Sequence, residues 1–347
     1  MIRPDLDHLP AYVPGARNET AVKLSSNEIA EGPLPSVKEA MVASLETVNR
    51  YPDMGAVKVR TALAAHLGVN VEQVAVGTGS SALCQQLVSI TSLPGDDVIF
   101  PWRSFEAYPV FVRIAGANPV PVPLTADHRV DLPALAGAIT ENTKLIFVCN
   151  PNNPTATTIT RTEWNEFMEA VPDRVLVALD EAYFEYNLAG TSPVATEEIT
   201  KYPNVVGLRT FSKAYGLAGA RIGYAFGPER IIAALNKVAV PFGVTSLAQA
   251  AALASLPLHD ELHARIHTTA EQRQRLHKVL EELGCPESQT NFLWLPADSL
   301  GADPVEFAAT LAHHNVLVRA FPEGLRVTVT NAAETDAFLT AWEAARS

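Results

Sequence analysis

Lys213 is the residue in this chain most able to do chemistry. It lies in Leu208-Arg-Thr-Phe-Ser-Lys-Ala-Tyr-Gly216, after an apolar run and ahead of a Gly-rich segment that leads to Arg221. A lysine in that setting can point its amine into a cavity rather than into water. Desolvation lowers its pKa, and the neutral amine can form a Schiff base with a carbonyl. Thr210, Ser212 and Arg221 add two hydroxyls and a guanidinium around it, a set suited to a phosphate. An amine beside a phosphate site suggests pyridoxal 5′-phosphate (PLP). Alone, a Ser-Lys pair is ordinarily an exposed loop, but two further segments shift that balance.

The first is Leu145-Ile-Phe-Val-Cys-Asn-Pro-Asn-Asn-Pro-Thr155, an apolar run stopped by an Asn/Pro cluster. It reads as a buried strand, and Asn153 then falls at its carboxyl end, where open α/β sheets bind ligands. The second is Arg174-Val-Leu-Val-Ala-Leu-Asp-Glu-Ala-Tyr183, another buried strand, which ends at Asp180 with Tyr183 just beyond. A carboxylate there can pair with a protonated pyridine nitrogen and sustain its electron sink. Asn153 and Tyr183 can hydrogen-bond the phenolic oxygen of such a cofactor. A further phosphate element is Gly77-Thr-Gly-Ser-Ser-Ala82, a glycine turn that follows a strand and opens a helix. Its Ser80 and Ser81 N–H groups suit a phosphate. The same pattern fits the dinucleotide fingerprint, with Asp96 or Asp97 as the acidic partner, and so keeps an NAD-dependent dehydrogenase open as an alternative.

These groups need a sheet to hold them. Strands are expected at 73–76, 97–100, 118–121, 145–149, 175–179, 205–208 and 223–226, alternating with helices: an α/β class with a mostly parallel seven-stranded sheet. Residues 1–35 carry five prolines and read as an extended arm joining a smaller α+β domain. Residues 36–240 read as the large cofactor-binding domain, and 241–347 as a connecting helix and the C-terminal small domain. In that last part, strands are expected at 291–295, 316–318 and 325–329, with helices at 305–313 and 335–345.

Composition narrows the function classes. The 347 residues are 48% hydrophobic and 18% charged with a net charge of −12, a globular balance that argues against a nucleic-acid partner. No run reaches the roughly 18 apolar residues of a membrane span. Cys84, Cys149 and Cys285 show no C-x-x-C spacing and read as reduced thiols of a cytoplasmic protein. His259, His263 and His267 share helical spacing, but the residue after the first is Asp260 rather than the Glu of a hydrolytic zinc helix. They read as solvated surface, with no metal.

The order Asn153, Asp180, Tyr183, Lys213, Arg221 resembles the fold-type I PLP-dependent aminotransferases. Tyr12-Val-Pro-Gly15, Lys23-Leu-Ser-Ser-Asn-Glu28, Asn49-Arg-Tyr-Pro-Asp53 and Asp180-Glu-Ala-Tyr183 are similar to the histidinol-phosphate aminotransferase branch. Trp102-Arg-Ser-Phe-Glu-Ala-Tyr108 and the Lys213 segment look closer still to its actinobacterial aromatic (phenylalanine) aminotransferases. The resemblance runs from about residue 8 to residue 330. It implies Phe105 stacked on the pyridine ring, Arg326 on the substrate carboxylate, Arg319 near the side-chain pocket, and Tyr12 and Asn27 at the substrate. It implies that Tyr51 reaches the partner subunit's cofactor phosphate, hence a homodimer with shared sites. It further implies that Lys213 moves the substrate proton and that a 2-oxo acid such as 2-oxoglutarate accepts the amino group.

Three positions depart from the branch. Ser81-Ala82 stand where acidic residues are usual, Ala156 stands for a turn glycine, and Thr328-Val-Thr-Asn331 replaces a Val-Gly sequence. The aromatic residues Trp102, Phe105 and Tyr108 favour an aromatic amino acid as substrate, with histidinol phosphate as the alternative. A non-catalytic PLP-binding regulator would ordinarily carry a basic DNA-binding module, which this sequence lacks.

Overall fold

Apolar runs between residues 74 and 226 fold as strands because helices cover them from both sides. The computed structural model describes residues 20–346 together with Ile2, Asp7 and Asn18. Strand β1 (Val22–Lys23) and helices α1 (Pro35–Ser44) and α2 (Val57–Leu67) lead into β2 (Val74–Gly77), α3 (Ser80–Thr91), β3 (Asp97–Trp102), α4 (Tyr108–Ile114) and β4 (Asn118–Pro123). Next come α5 (Leu132–Gly137), β5 (Thr143–Cys149), α6 (Arg161–Ala170), β6 (Leu176–Asp180), α7 (Ala195–Lys201), β7 (Val205–Thr210), β8 (Gly223–Phe226) and α8 (Glu229–Val238). All seven expected strands of this region are present, each end within two residues of its expected place.

They form one sheet in the order β2-β8-β7-β6-β5-β3-β4. β8 runs antiparallel to both of its neighbours, and the other pairings are parallel. Alternate residues of β5 feed two cores: Ile146 and Val148 pack on one face, Leu145, Phe147 and Cys149 on the other. Strand order reverses between β3 and β5, so the crevice of this sheet opens at their carboxyl ends.

The remaining elements are α9 (Ser246–Ser255), α10 (His259–Leu280), β9 (Phe292–Pro296), α11 (Ala297–Leu300), α12 (Pro304–His313), β10 (Val316–Leu317), β11 (Arg319–Phe321), β12 (Gly324–Thr328) and α13 (Ala332–Arg346). The stretch 316–321 divides at Val318. β10 pairs in parallel with β1, whereas β11 joins an antiparallel sheet of order β11-β12-β9. The N-terminal segment is thereby tied to the C-terminal one, and Leu24 is buried with Leu311, Leu325 and Phe338. α10 bridges the two bodies: Leu262 and Ile266 enter a core of the large sheet, Leu276 and Leu280 that of the small one. His259, His263 and His267 lie exposed on this helix, and among the described residues no cluster is placed to hold a metal.

Candidate active site

Five strand ends and the start of β8 meet at one edge of the large sheet. There Ser80, Ser81, Phe105, Asn153, Asp180, Tyr183, Thr210, Ser212, Lys213, Arg221, Asn27, Arg319 and Arg326 line a single cleft.

One end is built for a phosphate. α3 begins at Ser80, so the Ser80 and Ser81 N–H groups lie in the helix's first turn, where no carbonyl of the helix accepts them. Gly79 holds φ +82°, and a Cβ there would overlap the Arg221 guanidinium; a Cβ on Gly223 would strike the Ser80 backbone nitrogen. Only glycine admits this close approach. Arg221 itself is left-handed at φ 57°. Its Nη1 donates to the Ala218 carbonyl at 2.9 Å and to Ser212 Oγ at 3.4 Å. Thr210 Oγ1 in turn donates to Ser212 Oγ at 2.9 Å. Backbone donors, two hydroxyls and a guanidinium therefore surround a space that a side chain would fill, which fits a phosphate-bearing cofactor.

The middle of the cleft holds the amine and the carboxylate. Lys213 Nζ donates to the Asn27 carbonyl at 3.4 Å. Burial, then the nearby Arg326 and Arg221 charges, push its pKa down to about 8 against the pull of Glu28 and Asp180. Asp180 closes β6 and is buried, which raises its pKa to about 6. Tyr108 donates its hydroxyl to Asp180 Oδ2 at 2.6 Å, and the Ala182 N–H donates to Oδ1 at 3.2 Å. Tyr108 is itself fixed by stacking on Phe147, ring centres 4.4 Å apart. Cys149 also lines the cleft, but burial and Asp180 push its thiol up to about 12, so it stays protonated.

The hydrogen bonds also orient the groups suited to the cofactor's phenolic oxygen. Asn27 Nδ2 donates to the Tyr183 oxygen at 2.9 Å, leaving the Tyr183 proton for another acceptor. Thr328 anchors Asn27: its Oγ1 accepts from the Asn27 N–H at 2.9 Å and donates to Asn27 Oδ1 at 3.2 Å. Asn153 Oδ1 accepts from Arg326 Nη1 at 2.7 Å, which turns the Asn153 amide nitrogen the other way. Arg326 Nη2 donates to the Ser25 carbonyl at 2.8 Å. Arg319 Nη2 pairs with Glu106 Oε2 at 2.9 Å.

Five expectations need correction or placement. Trp102 and Tyr108 do not line the cleft: Trp102 packs on Phe100 and under Arg103, and Tyr108 is core. Of that aromatic trio only Phe105 faces the site, so the trio does not form an apolar substrate pocket. Tyr51 is 82% exposed and stacks on Phe242, away from this chain's own cleft. Ala156 lies in the left-handed region that favours glycine, φ 64°, at a cost of about 1 kcal/mol. Tyr12 lies outside the described residues. Asp96 and Asp97 sit at the amino end of β3, opposite the cleft, where they bond Leu93 N–H, Asn118 and Thr140. They cannot serve a ribose bound at the Gly77–Ala82 turn, which removes the dehydrogenase reading.

Sequence reasoning missed Glu106, Thr328 and the bond from Tyr108 to Asp180.

Comparisons with known proteins agree with this geometry. The family described as "Aminotransferase class I and II" matches residues 19–341. The aromatic amino acid aminotransferase of Corynebacterium glutamicum (strain R) is 60% identical over 344 residues, covering 99% of each chain. That of Rhodococcus jostii (strain RHA1) is 53% identical over 340 residues, covering 97% of this chain and 94% of its own. Among solved structures, histidinol-phosphate aminotransferase from Sinorhizobium meliloti in complex with pyridoxal 5′-phosphate superposes with a TM-score of 0.86 at 31% identity, over 94% of this chain and 91% of its own. Aspartate aminotransferase from Thermotoga maritima shares the fold, with a TM-score of 0.85 at 19% identity over 99% of each chain. A lysine, a carboxylate and paired arginines gathered at the sheet edge of a fold-type I transferase, in a chain matched along nearly its whole length, place this protein in the class I and II aminotransferase family.

Proposed function

We propose that this chain is a PLP-dependent aminotransferase that moves the amino group of an aromatic amino acid to a 2-oxo acid such as 2-oxoglutarate. The observation that carries the reading is the convergence of Lys213, Asp180 and Arg326 on one cleft. The aromatic substrate class is supported by the relatives of that name, which are up to 60% identical along their full length.

Ser80, Ser81, Ser212 and Arg221 would hold the cofactor phosphate, Phe105 one ring face, Asn153 and Tyr183 the phenolic oxygen. Bound there, PLP supplies an aldehyde for an amine and a ring that takes up the electron pair left when the substrate Cα–H bond breaks. Asp180 holds a proton at the ring nitrogen. Arg326 grips the substrate α-carboxylate through its planar fork and so fixes which bond at Cα faces Lys213. With a pKa near 8, Lys213 is neutral often enough at physiological pH to take the Cα proton as a base and return it as an acid.

Turnover of phenylalanine, tyrosine and histidinol phosphate, measured side by side, tests the substrate class. The aromatic acids should exceed histidinol phosphate in kcat/KM by at least about tenfold, roughly 1.4 kcal/mol of barrier. A tenfold preference the other way would move the chain to the histidinol-phosphate reading.

The same reading includes a homodimer with shared sites. Val42, Leu45, Val48, Tyr51, Met54 and Val57 are exposed, and so are Val238, Val240 and Phe242. Tyr51 stacked on Phe242 joins the two segments into one apolar face. Met54 and Val240 share a second hollow with Gly77 and Thr78, so the face runs up to the phosphate end of the cleft. A patch of this kind on a soluble protein marks an interface, and a second copy is the occupant that would bring a Tyr51 to the phosphate. Tyr51→Ala and Lys213→Ala subunits, each inactive or weak alone, should regain about a quarter of wild-type activity when exchanged in equal amounts. That follows because half the dimers are mixed and one site in each is intact. No recovery despite confirmed exchange would show that sites are not shared. The three cysteines, all buried free thiols, suit a reducing cytoplasmic compartment. Among the described residues no helix is long and apolar enough to cross a membrane.

A further inference from the structure

The two arginines of the cleft are direct neighbours with different partners. Arg319 on β11 stands opposite Arg326 on β12 in the antiparallel register. Like charges in that relation repel. Arg326 donates to the side-chain oxygen of Asn153 and to the Ser25 carbonyl. Arg319 is instead joined to the carboxylate of Glu106, 2.9 Å away, with both side chains mostly shielded from water (15% and 28% exposed). Glu106 is not loosely held. Three residues earlier, Arg103 grips Glu323 with two bonds, of 3.1 and 2.8 Å, on the β11–β12 turn. The segment after β3 is thus clamped to this hairpin at two points of opposite polarity.

We propose, building on the aromatic aminotransferase reading, that Glu106 determines the charge preference of the substrate pocket by occupying Arg319. With Glu106 in place, Arg319 is already paired, and Arg326 is the arginine that meets the α-carboxylate. The side-chain end of the pocket is neutral and accepts an uncharged ring without displacing anything. A dicarboxylate or a phosphate monoester must first displace an internal carboxylate, which competes at the high effective concentration of a tethered group. It must also tolerate that carboxylate nearby once it is displaced, a repulsive element directed against the wrong ligand. An acceptor such as 2-oxoglutarate is admitted on these terms in the second half-reaction, and the exchange of partners at Arg319 is what it has to accomplish.

The test is calorimetry on the holoenzyme with two non-reacting probes, glutarate and 3-phenylpropanoate. In Glu106→Gln the ratio of glutarate to 3-phenylpropanoate affinity should rise about tenfold. The ratio of kcat/KM for histidinol phosphate to that for phenylalanine should rise with it. Arg319→Ala should shift the affinity ratio the opposite way, and Glu106→Gln in the Arg319→Ala background should gain less than in the wild-type background, since only the repulsion from Glu106 and not its hold on Arg319 is then removed. A ratio that stays level or falls in Glu106→Gln would overturn the proposal, since Glu106 would then only position Arg319 for anions. An equal gain in the double variant would overturn it too, because the effect would be bulk charge rather than the pair. Failure of the underlying reading looks different: wild type itself would prefer histidinol phosphate to phenylalanine, whatever the variants do.

Discussion

Lys213→Ala is expected to lower transamination by a factor on the order of 10⁴ or more, roughly 5.4 kcal/mol of barrier, because one change removes both the amine that anchors the cofactor and the group that carries the Cα proton. The fold should survive. Lys213 donates one long bond, to the Asn27 carbonyl, and its buried charge is a burden on the apoenzyme. The sign follows from the depressed pKa. An amine that titrates near 8 when folded and near 10.5 when unfolded destabilises the folded state below pH 8, and the penalty fades as pH rises toward 10.5. Apo Lys213→Ala should therefore melt no lower than apo wild type at pH 7. The rate of covalent cofactor attachment to wild-type apoenzyme should climb with pH and level off just above 8, whereas an unshifted lysine would keep gaining past 10. Borohydride trapping followed by peptide mapping should place the pyridoxyl group on Lys213. Label on another lysine, or a variant that still turns over, would refute the assignment.

How far the sequence could be read depended on the range of the interaction concerned. The strands ending at Cys149 and Asp180 were legible because their residues are apolar on both faces, and the turn residues that follow place Asn153 and Tyr183 at the sheet edge. Gly79 was legible as part of a phosphate turn, but the contact that makes it necessary involves Arg221, across the cleft, and Gly223, which meets the Ser80 backbone, gave no such signal. What stayed hidden depends on partners far along the chain. Glu106 meets Arg319 across 213 residues, and Tyr108 meets Asp180 across 72. Local periodicity carries no trace of either pairing, so Trp102, Phe105 and Tyr108 looked alike as candidate pocket walls although only Phe105 faces the cleft. The break at Val318 was hidden for the same reason. Val316–Leu317 pairs with Val22–Lys23, nearly 300 positions away, and this separates it from the strand that carries Arg319. Thr328 departs from the branch pattern, yet it holds the Asn27 that bonds Tyr183, a role visible only once both termini are packed.

Asp180→Ala is expected to lower kcat by about 10²-fold or more, roughly 3 kcal/mol, because a ring nitrogen that is not held protonated makes a poor electron sink. The apoenzyme should show the opposite trend in stability. Burial raises the Asp180 pKa from 3.8 to about 6, so the folded state binds a proton more tightly than the unfolded chain does. Ionised Asp180 consequently costs the folded apoenzyme about 1–3 kcal/mol above pH 6, and the cost disappears as pH falls below 4. Asp180→Asn keeps the shape and removes the charge. It should therefore be more stable than apo wild type at pH 8 and no different at pH 4, read as Tm at the two pH values. Tyr108 limits the gain. Its hydroxyl and the Ala182 N–H both donate to this carboxylate, and an amide can accept only one of them well. Tyr108→Phe should accordingly raise the Asp180 pKa further while leaving the stack on Phe147 in place. A loss of kcat in Asp180→Asn without any pH-dependent gain in apoenzyme stability would mean the carboxylate is not held ionised against its environment. Near wild-type turnover in Asp180→Ala with cofactor bound would remove its role at the ring nitrogen altogether.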